Sequence, residues 1–194
     1  LFTKKRLTDS IQTEFNPKFF RPLSIVIPSY NSDETILKTL LSIESQSLPY
    51  ECKQQVQVTV VDDGSTIPVS QVVEMGGYKF SFDLNIIRLE KNGGRAYSRN
   101  VGAHASIHED LLFLDSDILL SKNFLYEHLL RLQSIPDSLF LSLKHNVDRE
   151  SETAVDECIN KGLEVPSTYN DKRLSRDLKE GTKNLHPVSY SGCF

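Results

Sequence analysis

The chain has 194 residues, 39% of them apolar, enough to bury one sizeable core and short for two ordinary domains. Its formal charge of −4 argues against nucleic acid as a partner, because affinity for a polyanion rests on clustered Lys and Arg that neutralise phosphates. No window approaches the roughly 18 to 20 apolar residues of a membrane span and no signal-peptide core opens the chain, while Cys52, Cys158 and Cys193 are odd in number, widely spaced and without a CxxC pair, so a cytoplasmic, reducing setting is expected, with any membrane association supplied elsewhere in the full-length protein.

In chain order, residues 1–22 are mixed polar with Pro17 and Pro22 and read as an N-terminal arm, in which Lys4-Lys5-Arg6 is a solvated basic patch. An α/β domain is expected over 23–144. Apolar runs of strand length, Leu23–Ile27, Gln55–Val61, Asn85–Leu89, Leu111–Leu114 and Leu139–Leu143, alternate there with segments of helical period. That alternation predicts βαβ units, and hence a mostly parallel, Rossmann-like sheet flanked by helices.

The first helix is expected after a cap at Asn31 or Ser32, with Asp33 and Glu34 in its first turn and Ile36, Leu37, Leu40, Leu41 and Ile43 on its apolar face. A second is expected from Arg95 to about His108, and a third from Lys122 to Leu132, carrying Phe124, Leu125, Leu129 and Leu132. Residues 145–194 have few apolar anchors and many charges, which predicts a variable, partly disordered insertion and then the start of a further part. The chain opens at Leu1 rather than Met and ends at Cys193-Phe194 on the approach to another strand, so a piece of a longer protein is expected.

Three polar clusters fall at the carboxyl ends of predicted strands: Pro28-Ser29-Tyr30-Asn31, Asp62-Asp63-Gly64-Ser65 and Asp115-Ser116-Asp117. In an open parallel sheet that edge binds ligands. Two carboxylates at alternate positions leaving the apolar run Leu111-Leu112-Phe113-Leu114 repel each other unless a cation lies between them, and hard oxygen ligands point to Mg²⁺ or Mn²⁺. The competing readings are a helix-capping turn ahead of Ser121 and a phosphatase-type aspartyl nucleophile, the latter opposed by the apolar Ile118-Leu119-Leu120 that follows. A carboxylate in the Asp62-Asp63 pair can accept a hydrogen bond from a nucleobase or ribose, Gly64 permits the turn, and Tyr30 offers a flat face to a base.

The stretch Asn92-Gly93-Gly94-Arg95-Ala96-Tyr97-Ser98-Arg99 is a glycine turn entering a helix with two cations near its start, an arrangement suited to a diphosphate. It is neither a P-loop nor a GxGxxG fingerprint. His104 and His108 lie four apart on the expected second helix but lack further ligands for zinc, and no GxSxG or Cys-His pairing suggests a nucleophile.

Taken in order, Ser24-Ile25-Val26-Ile27-Pro28-Ser29-Tyr30-Asn31, Val60-Val61-Asp62-Asp63-Gly64-Ser65, Asn92-Gly93-Gly94 through Ser98-Arg99-Asn100-Val101-Gly102, and Leu112-Phe113-Leu114-Asp115-Ser116-Asp117 resemble the family 2 glycosyltransferases of A-type fold. The resemblance implies transfer of a sugar from a nucleotide diphosphate donor, a UDP-sugar foremost, with inversion at the anomeric carbon. It places Pro28, Tyr30 and Asp63 at the base, Arg99 on the nucleotide, Asp117 on an Mn²⁺ or Mg²⁺ that bridges the diphosphate, and Asp115 near the ribose or donor sugar. Ser29, Asp62, Asn92, Gly94, Arg95 and Ser116 complete the nucleotide-binding set. The catalytic base is expected beyond Phe194; Glu150, Glu152 and Asp156 are further carboxylates that no pattern selects. The acceptor, whether glycan, lipid, peptide or small molecule, is not legible. The rival readings are a non-catalytic nucleotide-sugar-binding module and a sugar nucleotidyltransferase, the latter opposed by Asn31-Ser32-Asp33-Glu34 where a glycine-rich basic signature belongs.

Overall fold

The structure, a computed structural model, describes residues 20–134, 143–146 and 190–193. Its first sheet comprises β1 (Leu23–Ser29), β2 (Val56–Asp62), β3 (Asp83–Arg88) and β4 (Asp110–Phe113), in the order β3-β2-β1-β4. All three pairings are parallel, and the register sets Ser29 beside Asp62 and Val26 beside Phe113. Every residue of β1 and β2 is buried, as in strands covered on both faces; β1 is mostly apolar, while β2 also buries Gln57, Thr59 and Asp62. The chain builds outward from β1 to β3 and then returns across β1 to lay down β4. The strand order therefore reverses between β1 and β4, and a crevice opens there at the carboxyl ends.

The return crossover is α4 (Arg95–Ala105), which approaches the sheet at Gly102, where an added Cβ would lie 2.3 Å from a Val26 methyl and 3.2 Å from one of Val61. The other face is packed by α1 (Ile36–Glu44), whose Ile36, Leu40 and Ile43 join Ile25, Ile27, Val58 and Val60 in the main core. Short helices α2 (Tyr50–Lys53) and α3 (Val69–Gly76) complete the crossovers around β2. A second sheet, of order β5-β7-β6, joins β5 (Ile118–Leu120), β6 (Leu143–Asn146) and β7 (Tyr190–Cys193), β7 running antiparallel to β5 and parallel to β6. Helix α5 (Phe124–Ser134) packs Phe124, Leu125 and Leu129 into the core.

The structure departs from the sequence reading in specific places. Helix α1 starts at Ile36 with Thr35 as its N-cap, not Asn31 or Ser32, because Ser32 instead opens a turn whose carbonyl accepts from the Thr35 and Ile36 amides. Residues after Asp117 form β5 rather than a helix, so the capping-turn reading of the Asp115 cluster fails. Helix α4 ends at Ala105; His108 lies beyond it, its amide donating to Ser24 Oγ at 3.2 Å, so His104 and His108 share no helical face. The fifth expected strand is described only from Leu143 onward. The arm before Phe20, most of the segment after 144, and Glu150, Glu152 and Asp156 lie outside the described residues.

Candidate functional site

Four loops leave the carboxyl edge of the first sheet and line one cleft of about 940 Å³, within the range of small-molecule sites. Each loop is held by its own sequence chemistry. After β1, Asn31 adopts φ +48°, a left-handed conformation that Asn tolerates, and this lets its amide donate to Ser65 Oγ (3.0 Å) while its side-chain oxygen accepts from the Thr66 amide (2.8 Å). The first and second loops are thereby clipped together. Gly64 has φ +76°, and a Cβ there would come within 3.0 Å of the Asn92 nitrogen, so only glycine lets the second loop lie against the third.

The adjacent aspartates of the second loop do different work. Asp62, 1% exposed, accepts the Ser65 amide (2.8 Å), the Val69 amide (3.1 Å) and Arg88 Nη1 (2.6 Å). Burial pushes its carboxyl up, but the donors from Ser65 and Val69 and the Arg88 charge outweigh it and hold the group below the usual carboxylate range. It is absent from the lining of the cleft. Asp63 does line it, with one carboxylate oxygen accepting the Gly93 amide (2.7 Å) and the other the Gly94 amide (2.8 Å). These two donors orient Asp63 and fix the glycine turn with one contact. Gly94, at φ +87°, caps α4, and beside it Asn92 and Arg95 face the cleft.

Tyr30 is 52% exposed and lines the cleft with Pro28 and Ser29, so its ring is available to a ligand rather than spent in the core. On the far side lie Asp115, Ser116 and Asp117. Ser116 is tied to the start of α1: its hydroxyl donates to Ser32 Oγ (2.9 Å), which also pairs with Ser29 Oγ (2.9 Å), and its carbonyl accepts from Thr35 Oγ1 (2.9 Å) and Thr39 Oγ1 (3.0 Å). Asp115 Oδ1 receives Arg99 Nη2 at 2.7 Å. Arg99 does not itself line the cleft; Arg95 is the cation that does. The expected site residues thus converge on one crevice, with Asp62 and Arg99 as its supports.

Sequence reasoning missed polar residues that brace the loops, Ser32, Thr35 and Thr39, along with Asp33 and Glu34 as cleft-lining carboxylates. The available signal was the run of hydroxyls and carboxylates directly after β1, which was read as helix-capping residues.

The donor set bears on a metal. Asp115 and Asp117 offer hard oxygen ligands at alternate positions, while among the described residues no group of three or more His, Cys, Asp or Glu is placed to hold an ion. Such a site does not suit an all-protein cage. It fits an ion that takes one or two carboxylates and completes its shell with substrate phosphates and water, the habit of Mg²⁺ and, by the same oxygen preference, Mn²⁺.

Comparison with known proteins adds an independent line. The family profile described as Glycosyl transferase family 2 matches residues 24–187. Uncharacterized glycosyltransferase YfnE of Bacillus subtilis is 34% identical over 106 residues, covering 55% of this chain and 26% of its own. Poly(ribitol-phosphate) beta-N-acetylglucosaminyltransferase TarS of Staphylococcus aureus is 38% identical over 103 residues, 53% of this chain and 17% of its own. The chain thus spans about a quarter or less of these curated relatives. Crystal structures of TarS 1-349 with UDP and with UDP-GlcNAc each match at TM-score 0.57, at 31% and 30% identity, covering 66% of this chain and 36% and 35% of theirs. Mannosyltransferase PcManGT of Pyrobaculum calidifontis, in complex with GDP-Man and Mn²⁺, is similar in fold alone, with TM-score 0.54 at 19% identity over 77% of this chain and 43% of its own.

Proposed function

This chain belongs to glycosyl transferase family 2 and has the A-type fold of its structural neighbours, and from that premise we propose that its cleft is the donor site of a metal-dependent glycosyltransferase that takes a UDP-sugar. The observation that carries the reading is the content of the single cleft: an exposed aromatic face, an oriented carboxylate clamped by two amides, and a pair of carboxylates across from them. The TarS structures with UDP and UDP-GlcNAc support uridine as the nucleoside.

Tyr30 stacks on the uracil, and Asp63 accepts its imide N–H. A carboxylate has about four acceptor positions, and the Gly93 and Gly94 amides use two, so capacity remains for the base. An ionised acceptor favours a ring N–H and repels the bare ring nitrogen that cytosine presents at the same position. Asn92 and Arg95 lie where α4 begins, and the positive end of that helix suits the diphosphate. Asp117, with Asp115, holds Mn²⁺ or Mg²⁺, which when bound neutralises the charge that builds on the departing diphosphate. The Arg99 contact orients Asp115. The acceptor oxygen then bonds to the anomeric carbon, with inversion, as the bond from that carbon to the diphosphate breaks, and the hydroxyl proton passes to a base that lies outside the residues named here.

A thermal-shift panel of UDP, CDP, GDP and TDP with and without Mn²⁺ tests the reading, since a ligand that binds only the folded chain raises its stability with the logarithm of its excess over Kd. UDP with Mn²⁺ should give the largest rise and CDP little. Equal rises for UDP and CDP, or a response indifferent to the metal, contradict it.

A further inference from the structure

We propose that Thr35 and Thr39 are positioning residues that hold the Asp115-Ser116-Asp117 turn for metal and diphosphate before any ligand arrives, a role that rests on the donor-site reading above. A helical threonine ordinarily returns its hydroxyl to the carbonyl four residues back. Thr39 does so only weakly, at 3.3 Å to the Thr35 carbonyl, and lies closer, at 3.0 Å, to the Ser116 carbonyl on the far side of the cleft edge. Thr35, the N-cap residue, lies 3.4 Å from the Ser32 carbonyl three residues back and 2.9 Å from that of Ser116. Two hydroxyls, one from the cap and one from the first turn of α1, therefore converge on a single carbonyl and occupy both of its lone pairs. Ser116 Oγ adds a third tie, to Ser32.

These contacts act on the peptide that joins the two carboxylates. The Ser116 carbonyl belongs to the bond leading to Asp117, and the turn closes with the Ile118 amide on the Asp115 carbonyl at 3.3 Å. With the carbonyl pinned, the position of the Asp117 backbone is set by α1, the first helix after the base-binding loop. Thr39 is fully buried and does not itself line the cleft, which its hydroxyl reaches through the Ser116 carbonyl. Removing the two hydroxyls leaves a carbonyl without donors and frees the turn, so the cost should fall on the metal-dependent part of binding and spare the base.

The test uses Thr35→Val and Thr39→Val, singly and together, with Thr39→Ser and Thr35→Ser as variants that keep the hydroxyl. Calorimetry would measure UDP with Mn²⁺ and, separately, uridine without metal, and amide exchange of Ile118 in the ligand-free chain would report the turn itself. The double valine variant should lose about tenfold or more in UDP–Mn²⁺ affinity, keep uridine affinity within about twofold, and exchange Ile118 faster, with the serine variants close to the unsubstituted chain. If the double variant does not fold, Thr35→Val, at a partly exposed site, carries the same test. Unchanged UDP–Mn²⁺ affinity, an equal loss for uridine, or no recovery with serine overturns the proposal. Absence of metal-dependent UDP binding in the unsubstituted chain is a different result: it overturns the donor-site reading, and the positioning role with it.

Discussion

Asp62 and Asp63 are neighbours in sequence, yet the structure gives them separate consequences. Asp62 sits in a closed network of two amides and Arg88, so Asp62→Asn should lower folding stability by about 1 to 3 kcal/mol in urea titrations and leave uridine affinity in the folded fraction unchanged. Its depressed pKa sets the sign of the pH effect: the stability it contributes is present above the unfolded carboxylate pKa and is lost as pH falls through the folded value. Asp63→Ala removes both the proposed acceptor for the base and the anchor of Gly93 and Gly94, so UDP and uridine should weaken alike by about 1 to 3 kcal/mol. A loss for UDP and inorganic diphosphate with uridine unaffected would contradict that role. The resemblance points to Asp63 for the base, but that Asp62 turns away from the cleft was not legible, because its position depends on Val69 and Arg88, partners 7 and 26 residues away from Asp62.

At the scale of elements, the four strands of the parallel sheet were legible because each carries a short cluster of apolar residues bounded by polar segments, most fully in the buried β1 and β2. Strand β5 was not: its three residues follow the Asp115 cluster directly, and their partner in β7 lies more than 70 residues on, as in the pairing of Ile118 with Cys193. The start of α1 was misplaced for a related reason, since Ser32, a good capping residue by type, is used by Ser29 and Ser116 instead. Tertiary demand overrode local preference at this helix terminus, which borders the site. Helix α4 supplies the prediction at this scale. It meets β1 at Gly102, where a Cβ would stand 2.3 Å from Val26, so Gly102→Val should cost about 1 to 3 kcal/mol through overpacking and, by lifting the helix that carries Gly94 and Arg95, weaken UDP binding as well. Full stability in Gly102→Val by urea titration would show that the helix rides higher on the sheet than described.

For the whole molecule, pH and ligand binding give the broadest readouts. Burial lowers the His128 pKa from 6.5 to about 4, aided by the Arg131 charge and opposed by the bond to the Phe124 carbonyl. The unfolded chain therefore binds a proton between those values that the folded chain refuses, so stability is full above pH 6.5 and declines as pH falls toward 4, by up to about 3 kcal/mol. Urea titrations at pH 7 and pH 5 should show the decline, and His128→Phe should flatten it. Residues on one sheet edge are proposed to bind a uridine diphosphate through a base pocket and a metal together. Calorimetric titration of UDP into this chain, with Mn²⁺ and then with excess chelator, measures that directly, with Asp117→Asn in parallel. UDP should bind at least about tenfold tighter with Mn²⁺, and Asp117→Asn should lose that gain while still binding uridine. Metal-independent UDP affinity, or a metal gain that survives in Asp117→Asn, would contradict it.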